Sequence, residues 1–252
     1  MILHQDPVPK AKSCKDHNIA SPIAVVLVST RNPLNIGAAA RAMANFGFED
    51  LRIVNPYEVA FREAVSAVGG AYVLKAARVF ETLADAVADC SLVAGTTAAQ
   101  KRELQQPIER VEAGMERVRA HAGRTALVFG SEKFGLSNDD MSYCHTLIRI
   151  PTVPGTPSMN LGQAVSVCLW ELCRSGEQKP RPAPPELVEG SDAEQLTRML
   201  LEVLEKSGYT NRITSVSTEQ KIRRWVRRMQ LTRRDAPLLL GILRQVLWKF
   251  DK

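Results

Sequence analysis

The sequence lacks any apolar run able to cross a bilayer. Its longest, Ile23–Val28 and Pro237–Leu243, fall far short of the ~20 residues that a membrane helix needs. The first 18 residues, MILHQDPVPKAKSCKDHN, hold no apolar h-region, so no secretory signal is expected and a cytoplasmic location is. The five cysteines (Cys14, Cys90, Cys144, Cys168, Cys173) include no C-x-x-C pair, and the four histidines (His4, His17, His121, His145) form no ligand pattern. That speaks against a disulfide framework and a zinc site, and no metal is expected. The cysteines read as reduced thiols, mostly small core residues. There is no G-x-G-x-x-G, no G-x-S-x-G and no His-centred triad. Gly130–Ser137 (GSEKFGLS) has two glycines at P-loop spacing, but Leu136 stands where the lysine should be. ATP hydrolysis, NAD chemistry and serine-hydrolase chemistry all lose support.

What is present is ordinary in total and uneven in place. The 252 residues are 45% hydrophobic and 24% charged, values of a soluble globular protein long enough for one large domain or a medium and a small one. The net charge is +6, but residues 212–252 hold 11 Lys/Arg against 3 Asp/Glu, while residues 1–211 hold 22 against 24. A basic end on a near-neutral body suggests a polyanion partner such as nucleic acid. The plain alternative is a solvated helix that happens to be basic.

Residues 1–21 read as a polar, Pro-containing arm. From there short apolar strands alternate with helices. Strands are expected at Ile23–Ser29, Leu51–Val54, Ala76–Phe80, Ser91–Ala94, Thr125–Phe129 and Thr146–Ile150. Helices are expected at Asn35–Phe46, Phe61–Lys75, Leu83–Asp89, Pro107–His121, Asp139–Cys144 and Leu161–Arg174. The alternation argues for an α/β domain with a mostly parallel sheet. Its strands end in Gly, Ser, Thr and Asn, so small polar loops sit at their carboxyl ends, where such sheets bind ligands. Ser175–Pro185 (SGEQKPRPAPP) reads as a semi-extended linker,. Beyond it the pattern is helical, at Asp192–Lys206, Thr218–Gln230 and Arg234–Phe250. Trp225 falls on the apolar stripe with Ile222, Val226 and Met229, which favours core packing over stacking on a base.

Three loops could carry chemistry. In Thr30–Arg41 (TRNPLNIGAAAR), Asn35 is a plausible helix N-cap and Gly37 with the alanines keeps the helix start narrow,. Arg41 follows one turn past Gly37, and a guanidinium suits phosphate or a developing oxyanion; a plain surface arginine is the alternative. The second loop is Gly130–Ser137. The third, Ile150–Leu161 (IPTVPGTPSMNL), has a backbone prescribed by its prolines and Gly155, with Ser158 and Asn160 as polar handles,.

Together, N-x-G-x-x-x-R (Asn35, Gly37, Arg41), G-S-E-x-x-G-L (Gly130–Leu136) and I-P…S-x-N-L (Ile150, Pro151, Ser158, Asn160, Leu161) resemble the three motifs of SPOUT-class RNA ribose 2′-O-methyltransferases. The resemblance spans residues 22–174, each motif following a buried strand. The run NIGAAARAM (Asn35–Met43) is most similar to the TrmJ-type tRNA (cytidine/uridine-32)-2′-O-methyltransferase family. That family also places its catalytic domain first and a short helical extension after it. Met159 stands where the common S-L-N motif has leucine, a residue of similar volume,.

The resemblance implies a SPOUT fold, an α/β domain with a mostly parallel sheet whose C-terminal part is tied in a trefoil knot, followed by a small α-helical extension. It divides the chain into an arm (1–21), a methyltransferase domain (22–174), a linker (175–185) and a basic helical extension (186–252). It implies S-adenosyl-L-methionine as cofactor, with Thr96, Thr97, Ala98, Gly130, Glu132, Ile150, Pro157, Ser158, Met159 and Leu161 around it. It assigns the reaction to Arg41, Asn35, Ser158 and Asn160, and tRNA as the substrate. It implies a homodimer with the active site at the subunit interface, where Arg41 acts on the cofactor held by the other subunit. Arg31, Arg223, Arg224, Arg227, Arg228, Arg233 and Arg234 are expected to hold the RNA backbone. The same cofactor loops would serve an enzyme acting on ribosomal RNA, or an inactive RNA-binding protein on this fold, and these alternatives stay open.

Overall fold

The computed structural model describes residues 22–56, 70–98, 106–174, 186–210 and 215–252. The expected arm (1–21), the linker (175–185) and the first part of the helix expected at 61–75 lie outside these residues.

The β-branched run Ile23–Val28 forms β1, buried along its whole length. Val25 and Leu27 enter one apolar layer while Val26 and Val28 enter another. A strand covered on both faces needs apolar residues at every position, and this is why the run is continuous rather than alternating. The other strands are β2 (Asp50–Val54), β3 (Arg78–Phe80), β4 (Leu92–Thr96), β5 (Ile108–Arg110), β6 (Thr125–Phe129) and β7 (Thr146–Arg149). They form one sheet in the order β3-β2-β1-β6-β4-β7-β5. All six pairings are parallel.

On one face of the sheet lie α1 (Pro33–Phe46), α2 (Ala71–Ala76), α4 (Val111–Ala120) and α6 (Leu161–Cys173). On the other lie α3 (Leu83–Ala86) and α5 (Asn138–Ser142). The α/β expectation therefore holds. Because the strands are parallel, the segments after β1, β4, β6 and β7 leave the sheet on the same side. The order places β4 between β6 and β7, so residues 96–98, 130–136 and 150–160 converge there.

Some boundaries differ from expectation. The expected helix 107–121 divides into β5 and α4, because Ile108–Arg110 pairs with β7 and so joins the edge of the sheet. The first helix is capped by Asn32, not by Asn35: Asn32 Oδ1 accepts from the Leu34 N–H at 2.9 Å, with Pro33 at the first helical position,. Asn35 sits inside the first turn, its side chain free for other work.

Beyond 186 the chain is helical: α7 (Gly190–Lys206), α8 (Ser215–Arg228) and α9 (Asp235–Phe250). These enclose their own core of Leu196, Val226, Leu240 and Leu243. The extension also docks on the sheet domain. A Cβ on Gly190 would stand 2.3 Å from the Val87 carbonyl oxygen, so only glycine permits this approach,. Beside it the Ser191 N–H donates to Ala88 O at 2.9 Å.

Candidate active site

At the carboxyl edge of the strands lies a cavity of about 250 Å³. Every residue expected around the cofactor lines it: Thr96, Thr97, Ala98, Gly130, Glu132, Ile150, Pro157, Ser158, Met159 and Leu161. Phe129, Leu136 and Ile148 add apolar walls. Apolar walls interleaved with the polar side chains of Thr96, Thr97, Glu132 and Ser158 suit a heterocycle carrying polar substituents,.

The loop backbones are held firmly. Thr96 Oγ1 donates to Val128 O at 3.2 Å, and the Thr97 N–H donates to Ile148 O at 2.9 Å. After β6 the chain doubles back: the Gly135 N–H donates to Ser131 O at 2.8 Å, and Gly135 has a φ of 66°, a left-handed conformation that favours glycine. A Cβ on Gly130 would meet the Gly135 carbonyl carbon at 2.0 Å and Leu136 N at 2.2 Å. This glycine thus lets the two arms of the loop touch. In the third loop, Thr152 Oγ1 donates to Pro157 O at 3.0 Å.

The three sequence motifs meet through side chains. Asn35 is buried; its Nδ2 donates to Glu132 Oε1 at 2.9 Å, and its Oδ1 accepts from Asn160 Nδ2 at 2.8 Å. Asn160 in turn caps α6, its Oδ1 accepting from the Gly162 and Gln163 N–H groups at 3.0 and 3.4 Å. The cap of α6 is therefore Asn160. One amide ties the first helix to the second loop and to the start of α6.

Arg41 is exposed and does not line this cavity. It lines an adjoining open groove between α1 and α6, with Asn45, Asn160, Gln163 and Ser166. Met159 lines both spaces. The two helices approach closely because Gly162 faces Ala38; a Cβ at 162 would stand 2.5 Å from the Ala38 Cβ.

The arginines expected on RNA divide into two groups. Arg31, Arg228, Arg233 and Arg234 are exposed. Arg233 pairs with Glu189 at 2.8 Å, and partly buried Arg224 donates from Nη2 to Asn138 O at 3.0 Å. Arg223 and Arg227 are buried, only 4% and 2% exposed, which corrects the expectation for these two. Arg223 binds Glu194 and Glu219, donates to Ser142 Oγ at 3.2 Å and lies 4.4 Å above the Tyr143 ring. Arg227 donates to Gly190 O at 3.3 Å. Arg223 joins the extension to the sheet domain, Arg227 ties α8 to the start of α7 within the extension, and neither has surface to offer a phosphate. Conversely, Trp225 is 46% exposed rather than packed in the core. Among the described residues no group of three or more His, Cys, Asp or Glu could hold a metal ion, and no helix is long and apolar enough to cross a membrane.

Residues 22–170 match the model of the SpoU rRNA Methylase family. Over 242 residues the chain is 34% identical to the tRNA (cytidine/uridine-2′-O-)-methyltransferase TrmJ of Yersinia pestis (strain Pestoides F), covering 91% of each. Over 154 residues it is 42% identical to the tRNA (cytidine/uridine/adenosine-2′-O-)-methyltransferase TrmJ of Pseudomonas aeruginosa (strain UCBPP-PA14), covering 60% of each. The solved structure of TrmJ from Z. mobilis ZM4 superposes with a TM-score of 0.78 at 32% identity, covering 89% of this chain and 98% of that one.

Proposed function

The chain belongs to the SpoU rRNA methylase family, and from that premise we propose that it methylates a ribose 2′-OH in the anticodon loop of tRNA, at position 32, on cytidine, uridine or both. The observation that carries this reading is the Glu132–Asn35–Asn160 chain of hydrogen bonds beside a cavity lined by all the residues expected around S-adenosylmethionine. The tRNA substrate is supported by the relatives that match this chain through the helical extension as well as the sheet domain.

The residues fit the cofactor. Thr96–Ala98, Gly130 and Ile150 present loop backbone at the cavity, Met159 and Leu161 give it apolar walls, and the bare Cα of Gly130 keeps the loop closed where any side chain would force it open. When bound, S-adenosylmethionine supplies an electrophilic methyl group on a sulfonium. What the protein adds is position: the three loops fix the angle at which a ribose oxygen can approach, and such alignment contributes a large part of the rate of a displacement. Ser158 lines the cavity and Asn160 borders the groove, so both stand where an acceptor ribose would enter. Arg41 stabilises the negative charge that develops on the 2′-oxygen and orients the RNA.

Within one chain Arg41 faces the groove rather than the cavity. The reading therefore includes a homodimer, in which Arg41 of one subunit serves the cavity of the other. Exposed Leu34 on α1 and Trp170 on α6 supply apolar surface for such a contact. It also includes the trefoil knot expected of the C-terminal part of the 22–174 domain and a soluble cytoplasmic enzyme. Arg31, Arg228, Arg233 and Arg234 are the exposed arginines that would meet the RNA backbone.

The test is a labelled methyl-transfer assay with unmodified tRNA and, separately, ribosomal-RNA fragments, the modified ribose being located by mass spectrometry. Label at nucleotide 32 of tRNA, lost in Arg41→Ala, is expected. Label on ribosomal RNA alone would keep the chemistry and overturn the substrate; no label on either would overturn the reading. Sedimentation velocity checks the dimer.

A further inference from the structure

Helix α8 has two unlike faces. Arg223, Val226 and Arg227 are buried against α7 and the sheet domain. Lys221, Arg224, Trp225 and Arg228 stand at i, i+3, i+4 and i+7, positions that share one side of an α-helix. On that side Lys221, Trp225 and Arg228 are exposed and Arg224 is partly so. No Asp or Glu interrupts these positions. An indole framed by three cations is an uncommon use of surface. A tryptophan placed only to fill a core would not be 46% exposed.

The face is fixed relative to the cavity. The buried side of α8 is held by Arg223, bound at once to Glu194 of α7 and to Ser142 at the end of α5. On the outward side, Arg224 Nη2 reaches Asn138 O, the first residue of α5, at 3.0 Å. Asn138 directly follows the loop 130–137, whose members Gly130, Glu132 and Leu136 line the cavity. The stripe thus begins at the rim of the loop that holds the cofactor. Trp248 is also half exposed, but the Lys252 ammonium lies 3.6 Å from its ring centre.

We propose that this stripe is a single-stranded RNA contact, in which Trp225 stacks on an unpaired base while Lys221, Arg224 and Arg228 hold the flanking phosphates. Base–aromatic stacking needs an accessible π-face beside cations that track the backbone, and it does not need hydrogen-bond readout of the base. The inference rests on the proposed function only in taking RNA as the substrate. It assigns the extension a specific task, that of gripping unpaired nucleotides near the acceptor ribose. Trp225 is a positioning residue here and has no part in the transfer step.

The experiment measures binding of full-length protein to unmodified tRNA and to a blunt RNA duplex across a salt series, for wild type, Trp225→Ala, Trp225→Phe and Arg228→Ala. Trp225→Ala should weaken tRNA binding about tenfold without changing the salt slope. Trp225→Phe should stay within about threefold of wild type, since a phenyl ring still stacks. Arg228→Ala should lower the salt slope by about one unit. Affinity for the duplex should not change in Trp225→Ala. In turnover the same variant should raise KM and leave kcat at saturation unaltered. Wild-type indole emission should be quenched by tRNA, with the quenching reduced in Trp225→Phe. Unchanged tRNA affinity in Trp225→Ala would overturn the proposal, as would an equal loss on the duplex or an equal loss in Trp225→Phe. If wild type binds tRNA through Trp225 but methylates none, the proposed function fails and this contact stands. If wild type binds no RNA, the contact falls as well.

Discussion

Asn160 Nδ2 donates to Asn35 Oδ1 at 2.8 Å, joining side chains 125 positions apart in the sequence. Asn35 spends its other half on Glu132, so its carbonyl and its amino group each have a distinct partner. An aspartate in its place would lose the donor and set a second carboxylate against Glu132. Asn35→Ala is expected to cost about 2 kcal/mol of stability, since two hydrogen bonds are lost and one of them is to a carboxylate,. Its effect on turnover should be about 100-fold, because three loops lose their common tie and reacting groups tolerate little displacement. Thermal unfolding and single-turnover methyl transfer would separate the two effects, and Asn35→Asp should be no better than Asn35→Ala.

Within its own chain Arg41 lines the groove and not the cavity, and in the proposed dimer it faces the acceptor oxygen at the partner's cavity, so Arg41→Ala should lower turnover far more than cofactor affinity. Methyl transfer should fall about 100-fold or more, the usual cost of removing a donor aimed at a developing oxyanion. Calorimetric titration of the cofactor alongside the labelled-methyl assay checks both halves. A turnover within threefold of wild type would remove Arg41 from the reaction.

Gly130→Ala should have the opposite signature. Its Cβ would collide with backbone atoms at 2.0 to 2.4 Å, which no rotamer change relieves. Loop 130–136 must open, at a cost of about 3 kcal/mol, and the cofactor wall opens with it. Loss of cofactor binding in calorimetry, with a lowered melting temperature, is the expected result.

The sheet is legible because its causes are local: continuous β-branched runs mark strands covered on both faces. The cavity is legible only through the family resemblance, which implies the ten residues that line it. What sequence could not convey is which way a side chain points and what it meets. Arg223, Arg224, Arg227 and Arg228 are alike as letters, yet two are buried and Arg228 is exposed, because helical phase relative to α7 decides. The same periodicity points Trp225 inward, yet it stands one step of 100° from Val226, which does face the core, and turns outward,. The strand Ile108–Arg110 has three residues and no alternation; its pairing with β7 makes it a strand. Asn35 could not be told from a helix cap without seeing Asn32 in that position.

Arg223 should matter for the joint between the two parts rather than for RNA. Arg223→Ala would leave partly buried Glu194 without its main cation and Ser142 without its donor. Removing one member of a buried pair costs about 3 kcal/mol or more. Arg223→Met, which keeps much of the packed volume, should cost less than Arg223→Ala. Cofactor affinity should change little in either. Chemical denaturation and limited trypsin digestion of the 186–252 region would read the loosened joint.

Acid should weaken the fold in two separate windows. Burial holds the His145 imidazole well below its usual 6.5, and the charge of nearby Arg227 reinforces this. The Val93 N–H donates to His145 Nδ1 at 3.0 Å, which suits a neutral ring. Burial also lowers His121, which shares a 2.7 Å hydrogen bond with Ser91. Below pH 6.5 the unfolded chain takes up protons that the native state refuses, so stability falls as pH drops, by about 1.4 kcal/mol per pH unit for each fully excluded histidine. The carboxylates act lower. Burial alone would raise Asp50 and Asp89, but hydrogen bonds and charge from Arg52 outweigh it and hold both below 3.8. Their contribution is fully present above that value and is lost only as pH falls through the depressed values. His145→Asn keeps an acceptor for the Val93 N–H and cannot titrate. It should therefore flatten the stability profile between about pH 6.5 and 5 while leaving the drop below pH 4 in place. Denaturant midpoints across that range distinguish the two windows; an unchanged slope in His145→Asn would assign the upper one elsewhere.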